Sequence, residues 1–121
     1  MTGQNMQNME QFKPWDIWLA NVKFEDINQS KIRPVVILEV SKNIIKAIKL
    51  TSKLPRYKRD YALKFWEDAG LKKPTTAKTE KFIPLHVKKT IFKIGTLHSF
   101  DKTKIENLIL EKNEKTNFKK D

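Results

Sequence analysis

The chain has 121 residues, of which 39% are apolar, enough for one domain with a small core. It has no cysteine, which excludes disulfides and thiolate metal sites, and its two histidines, His86 and His98, stand too far apart in the chain for a conventional metal cluster. Twenty-five Lys and Arg against fourteen Asp and Glu leave a net charge of +11, which attracts polyanions, RNA and DNA foremost.

Three of the cations are arginine, Arg33, Arg56 and Arg59, and the rest are lysine, a composition that a solvated surface also produces. No apolar run approaches the ~20 residues a membrane helix needs. The first eleven residues are polar and rich in Asn, Gln and Met without an apolar export core, so a cytoplasmic protein is expected. Neither a cofactor nor a metal is called for.

Residues 1–12 read as a disordered tail. Trp15 to Val22 alternates and is rich in aromatic and β-branched residues, which predicts the first strand. Phe24 to Lys31 is polar and reads as a loop. Pro34 can open a strand where its missing N–H does no harm. Val35 to Val40 is the second strand, and its near-continuous apolar run predicts burial on both faces. Ser41-Lys42-Asn43 is a short turn, and Ile44 to Leu50 completes a hairpin as the third strand.

Thr51 to Asp60 is a basic loop, with Lys53, Arg56, Lys58 and Arg59 around Tyr57. Tyr61 to Leu63 reads as a short strand, and Phe65 to Ala69 as a helical turn closed by Gly70. Thr75 to Leu85 is a strand with Pro84 near its end. Thr90 to Gly95 reads as a short helical turn or coil, with Gly95 as its stop. Asp101 is an N-cap or first-turn residue for a helix to about Lys115, with Ile105, Leu108, Ile109 and Leu110 as its apolar stripe. Residues 113–121 read as a frayed polar tail. Short strands followed by one terminal helix predict a mainly β fold, a small barrel or strongly bent sheet capped by a helix.

If the second and third strands pair, Arg33 and Thr51 meet at one rim of the sheet. A guanidinium and a hydroxyl there can hold a phosphate and stabilise charge building on it. Two readings of each residue stand at this point. Arg33 suits phosphate binding, or a surface ion pair with Glu25, Asp26 or Glu39. Thr51 and Ser52 suit a phosphoryl oxygen, or simply end a strand. The Lys53–Arg59 loop is a solvated surface, or Tyr57 stacks on a base while the cations hold phosphates. Trp15, Trp18 and Phe65 fit core or interface better than base platforms. A His86–His98 pair can run acid–base RNA cleavage, but nothing in the sequence places the two together.

The order of these pieces resembles the MazF/PemK family of toxin ribonucleases from bacterial toxin–antitoxin systems. The resemblance rests on Trp15-Asp16-Ile17-Trp18-Leu19-Ala20, then Arg33-Pro34-Val35-Val36-Ile37-Leu38, then Leu50-Thr51-Ser52-Lys53. Asp60-Tyr61-Ala62-Leu63, Trp66-Glu67-Asp68-Ala69-Gly70-Leu71-Lys72-Lys73-Pro74-Thr75 and Ile94-Gly95-Thr96-Leu97 extend it and point to a PemK-like subgroup. It spans roughly Trp15 to Leu110. Trp15 replaces the family's glycine, and Glu25-Asp26 with Gln29-Ser30-Lys31 stands where the family has a G-S-E-Q loop.

The resemblance implies a single domain over 13–112, an SH3-like barrel of the MazF/PemK and CcdB type. It implies a toxin endoribonuclease that cuts single-stranded RNA (mRNA) at short sequences without a metal. Arg33 falls on the family's arginine and Thr51 on its strand-end threonine, with Ser52 as a plausible catalytic neighbour. Glu25, Gln29, Lys31, Lys53, Arg56, Tyr57 and Arg59 are the candidate RNA-binding residues, and Glu25 or Asp26 is a candidate base. The implied partners are a cognate antitoxin and a second copy of the chain, paired through barrel surfaces that leave the Arg33 rim partly open. The rival readings are a non-catalytic, CcdB-like topoisomerase-blocking toxin and a plain nucleic-acid-binding barrel.

Overall fold

Val35, Val36 and Ile37 are consecutive and all fully buried. Neighbours in a strand point to opposite faces, so the sheet that holds them is covered on both sides. The structure, a computed structural model, describes residues 11–24 and 29–120. Its strands are β1 (Asp16–Phe24), β2 (Gln29–Ser41), β3 (Ile44–Thr51), β4 (Asp60–Ala62), β5 (Thr76–His86) and β6 (Thr90–Thr96), and a helix α1 (Ser99–Lys120) follows. They form one six-stranded antiparallel sheet in the order β4-β5-β3-β2-β1-β6. The sheet is not closed. Irregularities in register at Ile37/Glu39, Ile48/Leu50, Ile17/Trp18 and Leu19/Ala20 bend it in a barrel-like way.

One face packs Trp18, Ala20, Val22, Val35, Ile37, Ile45 and Ala47 around Phe12 and Leu85. The other packs Ile17, Val36, Ile48, Leu50 and Ala77 under Leu63, Ala69, Leu97 and Ile105, the last from α1. Trp18 is thus core, as its alternation predicts, and Trp15 packs at the margin of the second cluster. The β2–β3 hairpin turns at Lys42, whose φ of 57° is left-handed and suits a tight hairpin. The predicted helical turn is present: Ala69 N–H donates to the Phe65 carbonyl at 3.2 Å, and Gly70 closes it at a φ of 93°.

The structure corrects several expectations. Gln29 to Lys31 belong to β2 and pair with Phe24, Lys23 and Val22, because a long two-stranded ribbon supplies hydrogen bonds whatever the side chains. Residues 25–28 lie outside the described residues. Pro34 sits within β2, paired with Leu19, and the β3 ladder begins only at Val35. The proline therefore lies where β2 has a single neighbour. Thr90 to Gly95 is strand, not helical turn, and pairs along β1 as an edge. Gly95 is required there for another reason: a Cβ would collide with the Ala69 carbonyl. The helix backbone runs past the expected limit to Lys120.

Candidate functional site

β2 and β3 pair with Val35 opposite Lys49, which brings Arg33 and Thr51 to the same end of the hairpin. A cavity of about 280 Å³ opens there. It is lined by Ile32, Arg33 and Pro34 from β2, by Leu50, Thr51 and Ser52 from the end of β3, and by Leu71, Lys72, Lys73 and Thr75 from the segment before β5. All three residues expected to be catalytic therefore share one wall. Arg33 and Thr51 are half-buried and Ser52 is exposed. The Thr51 hydroxyl accepts from the Lys53 N–H at 3.3 Å, which starts the turn into the basic loop. Opposite, the Thr75 hydroxyl donates to the Lys73 carbonyl at 2.8 Å and fixes the segment that presents Lys72 and Lys73.

The basic loop is organised by Asp60. Its carboxylate accepts from the N–H groups of Arg56 and Tyr57 at 2.9 and 3.1 Å and meets the Lys78 ammonium at 2.8 Å. Burial alone would raise this carboxyl, but the Lys78 hydrogen bond and the two N–H groups outweigh it and hold it below the usual aspartate value. The effect is to present Tyr57 outward, 65% exposed, with Lys78 4.8 Å from its ring centroid and Arg56 at 5.8 Å. Lys53 and Arg56 are exposed on the same loop, and Gln29 and Lys31 are exposed at the start of β2. Glu25 and Asp26 lie outside the described residues.

Arg59 stands apart from the exposed loop. It is 9% exposed, its Nε lies 3.0 Å from Glu80, and its guanidinium donates to the Leu108 carbonyl at 3.3 Å. Arg59 ties β5 to α1 and is a fold contact. The histidines are likewise engaged separately. His86 Nδ1 accepts from Lys88 N–H after β5, and His98 Nδ1 accepts from Phe100 N–H at the start of α1 while its ring stacks on Phe65 at 3.9 Å. Asp101 is in the first turn of α1 and fully buried, but it caps the neighbouring segment. It accepts from Tyr61 hydroxyl at 2.6 Å and from the N–H groups of Lys64 and Phe65 at 3.0 and 2.9 Å.

Lys49 has no role in the sequence reading. It is half-buried on β3, and burial together with Lys78, Arg33, Lys81 and Lys53 pulls its ammonium below the ordinary lysine value. The available signal is its place two residues before Thr51, on the same strand face, between the apolar Ile48 and Leu50. A larger cavity of about 500 Å³ lies between α1 and the sheet, its lining shared between apolar residues such as Trp15, Leu38 and Phe82 and polar ones such as Glu39, Lys46 and Glu106. Its lysine, Lys46, lies 3.8 Å from Glu39, and it lacks the guanidinium–hydroxyl pair of the smaller one. Among the described residues no three His, Asp or Glu side chains group as metal ligands, and no helix is long and apolar enough to cross a membrane.

The fold has counterparts among solved structures. It superposes on the Mycobacterium tuberculosis toxin MazF-mt6 with a TM-score of 0.63 at 18% identity, covering 78% of this chain and 91% of that one. It superposes on a MazE–MazF crystal structure from Deinococcus radiodurans with a TM-score of 0.60 at 12% identity, covering 81% and 92%. No curated protein sequence matches the chain. Residues 13–111 match the family described as PemK-like, MazF-like toxin of type II toxin–antitoxin system. That match spans the whole sheet and more than half of the helix, and the chain belongs to the PemK/MazF toxin family of type II toxin–antitoxin systems.

Proposed function

We propose that this toxin is an endoribonuclease that cuts single-stranded RNA, mRNA in the cytoplasm, at short sequences and without a metal. The observation that carries the reading is the shared wall of Arg33, Thr51 and Ser52 in one cavity, in a chain of this family. In the reaction the substrate 2′-OH attacks the adjacent phosphorus and the bond to the 5′-oxygen breaks. The products are a 2′,3′-cyclic phosphate and a free 5′-hydroxyl. The 2′-OH must lose a proton and the leaving oxygen must gain one.

Arg33 serves the phosphoryl oxygens, because its planar fork grips two of them and keeps its charge. Thr51 donates its hydroxyl to a non-bridging oxygen, and Ser52 stands ready beside it. These donors act where negative charge grows in the transition state. Gln29, Lys31, Lys53 and Arg56 flank the site as RNA contacts, and Tyr57 offers a base-stacking face. The chain works as a homodimer. A cognate antitoxin holds it in check, a reading supported by the MazE–MazF structure that the fold resembles.

The test is incubation of purified protein with a long single-stranded RNA in EDTA, beside folded Arg33→Ala and Thr51→Ala variants. Discrete cuts with cyclic-phosphate ends are expected, and each variant should slow them by about 100-fold or more. No cuts across several RNAs would turn the reading toward a non-catalytic toxin or a binding barrel. Cuts that persist in both variants would keep the enzyme and refute the site.

A further inference from the structure

The β3–β5 ladder breaks at one place. Ile48 pairs with Phe82 and Leu50 with Ala77, so the single residue Lys49 faces the stretch Lys78-Thr79-Glu80-Lys81. β5 arches away there, and the arch is pinned from outside. Thr79 hydroxyl donates to the Arg59 carbonyl at 2.5 Å, Glu80 meets Arg59 at 3.0 Å, and the Lys112 ammonium donates to the Glu80 carbonyl. Bulges of this kind re-aim side chains beside functional sites.

The break puts cations in a row. Lys49 pairs with Val35, and Arg33 lies two residues along β2 on the same face. Lys78, Arg33, Lys81 and Lys53 are among the charged groups acting on Lys49. A row of cations across three neighbouring strands attracts a polyanion laid along it. At the far side of the arch Lys78 leans over the exposed ring of Tyr57.

We propose that Arg33, Lys49 and Lys81 hold consecutive phosphates of one RNA strand across β2, β3 and β5, and that the strand leaves the cavity over the β5 arch to stack a base on Tyr57. The path rests on the reading of the cavity as an RNA site. Lys49 and Lys81 are positioning residues in it: they set where the strand runs, and Arg33 meets the reacting phosphate.

The experiment is fluorescence anisotropy of a 2′-O-methyl RNA oligonucleotide, whose nucleophile is blocked, across a salt series. Lys49→Gln and Lys81→Gln should each reduce the slope of log K against log salt by about 0.7. Lys49→Arg should restore the slope, and Lys42→Gln, at the opposite end of the hairpin, should leave it unchanged. Tyr57→Ala should weaken binding about tenfold and abolish quenching of a 2-aminopurine placed beyond the scissile step. Wild-type slopes in both Lys49→Gln and Lys81→Gln overturn the path, while cleavage of ordinary RNA by the same wild-type preparation keeps the enzymatic reading. A wild type that binds with the expected slopes but cuts nothing supports the path and overturns cleavage alone. A folded wild type that neither binds nor cuts overturns both.

Discussion

Arg33 and Arg59 show how little residue type decides by itself. Both sit in a basic sequence context, yet Arg33 lines a cavity and Arg59 is drawn into the fold by Glu80 and the Leu108 carbonyl. Two carboxylates organise the same region from within, Asp60 under the basic loop and Asp101 under the Phe65 turn. Their bonds make stability depend on pH at both ends. Burial first and Asp101 second raise the Tyr61 phenol above its ordinary 10.0. The folded state then keeps a proton that the unfolded chain loses, so this stabilisation is full below pH 10.0 and is lost as pH climbs beyond it. Asp60 runs the other way: its carboxyl lies below 3.8, so its contribution is full above pH 3.8 and lost as pH falls through the folded value. Urea midpoints measured across pH should fall at both extremes. Tyr61→Phe should cost about 2 kcal/mol at neutral pH and abolish the alkaline fall while sparing the acid one. An alkaline fall that survives the substitution would show that another group governs it.

At the scale of elements, the Phe65–Gly70 turn and β6 are a mutual fit. Gly70 stands at φ 93°, where an added Cβ would sit 2.7 Å from the Ile94 carbonyl oxygen, and Gly95 meets the Ala69 carbonyl in return. The turn covers the second core cluster through Ala69, and Asp101 fastens it to α1. Gly95→Ala must therefore push the turn away from β6. A loss of about 3 kcal/mol is expected in chemical denaturation, in the range of overpacked sites. A stability within about 0.5 kcal/mol of wild type would mean that the turn moves freely, contrary to its contacts. This contact also explains why β6 escapes the sequence. Its glycine looks like a helix stop because the partner that requires it lies some 25 residues earlier in the chain.

On the scale of the whole molecule, the charge of +11 and the open sheet edges set how the protein meets partners. β6 is an edge strand that carries Ile91 and Phe92 at 47% and 53% exposure, a surface that proteins usually cover. A homodimer is expected, and light scattering after size exclusion should give about twice the 14.3 kDa of one chain. A single-chain mass at micromolar concentration would reject it. What the sequence determined by itself is most of the strand-rich order, the hairpin at Lys42, the joint placing of Arg33 with Thr51, and the two-sided burial expected over Val35 to Val40, which holds for Val35–Ile37 while Leu38 and Val40 are half-buried and Glu39 is exposed. Those follow from local alternation, turn chemistry and one short-range pairing, all written within some twenty residues. Only the tertiary structure decided that Arg59 serves the fold, that Asp101 caps a turn distant in sequence from its own helix, and that Lys49 faces the β5 arch. Each of those depends on a partner from a distant element, and a single sequence carries no term that says which distant groups will meet.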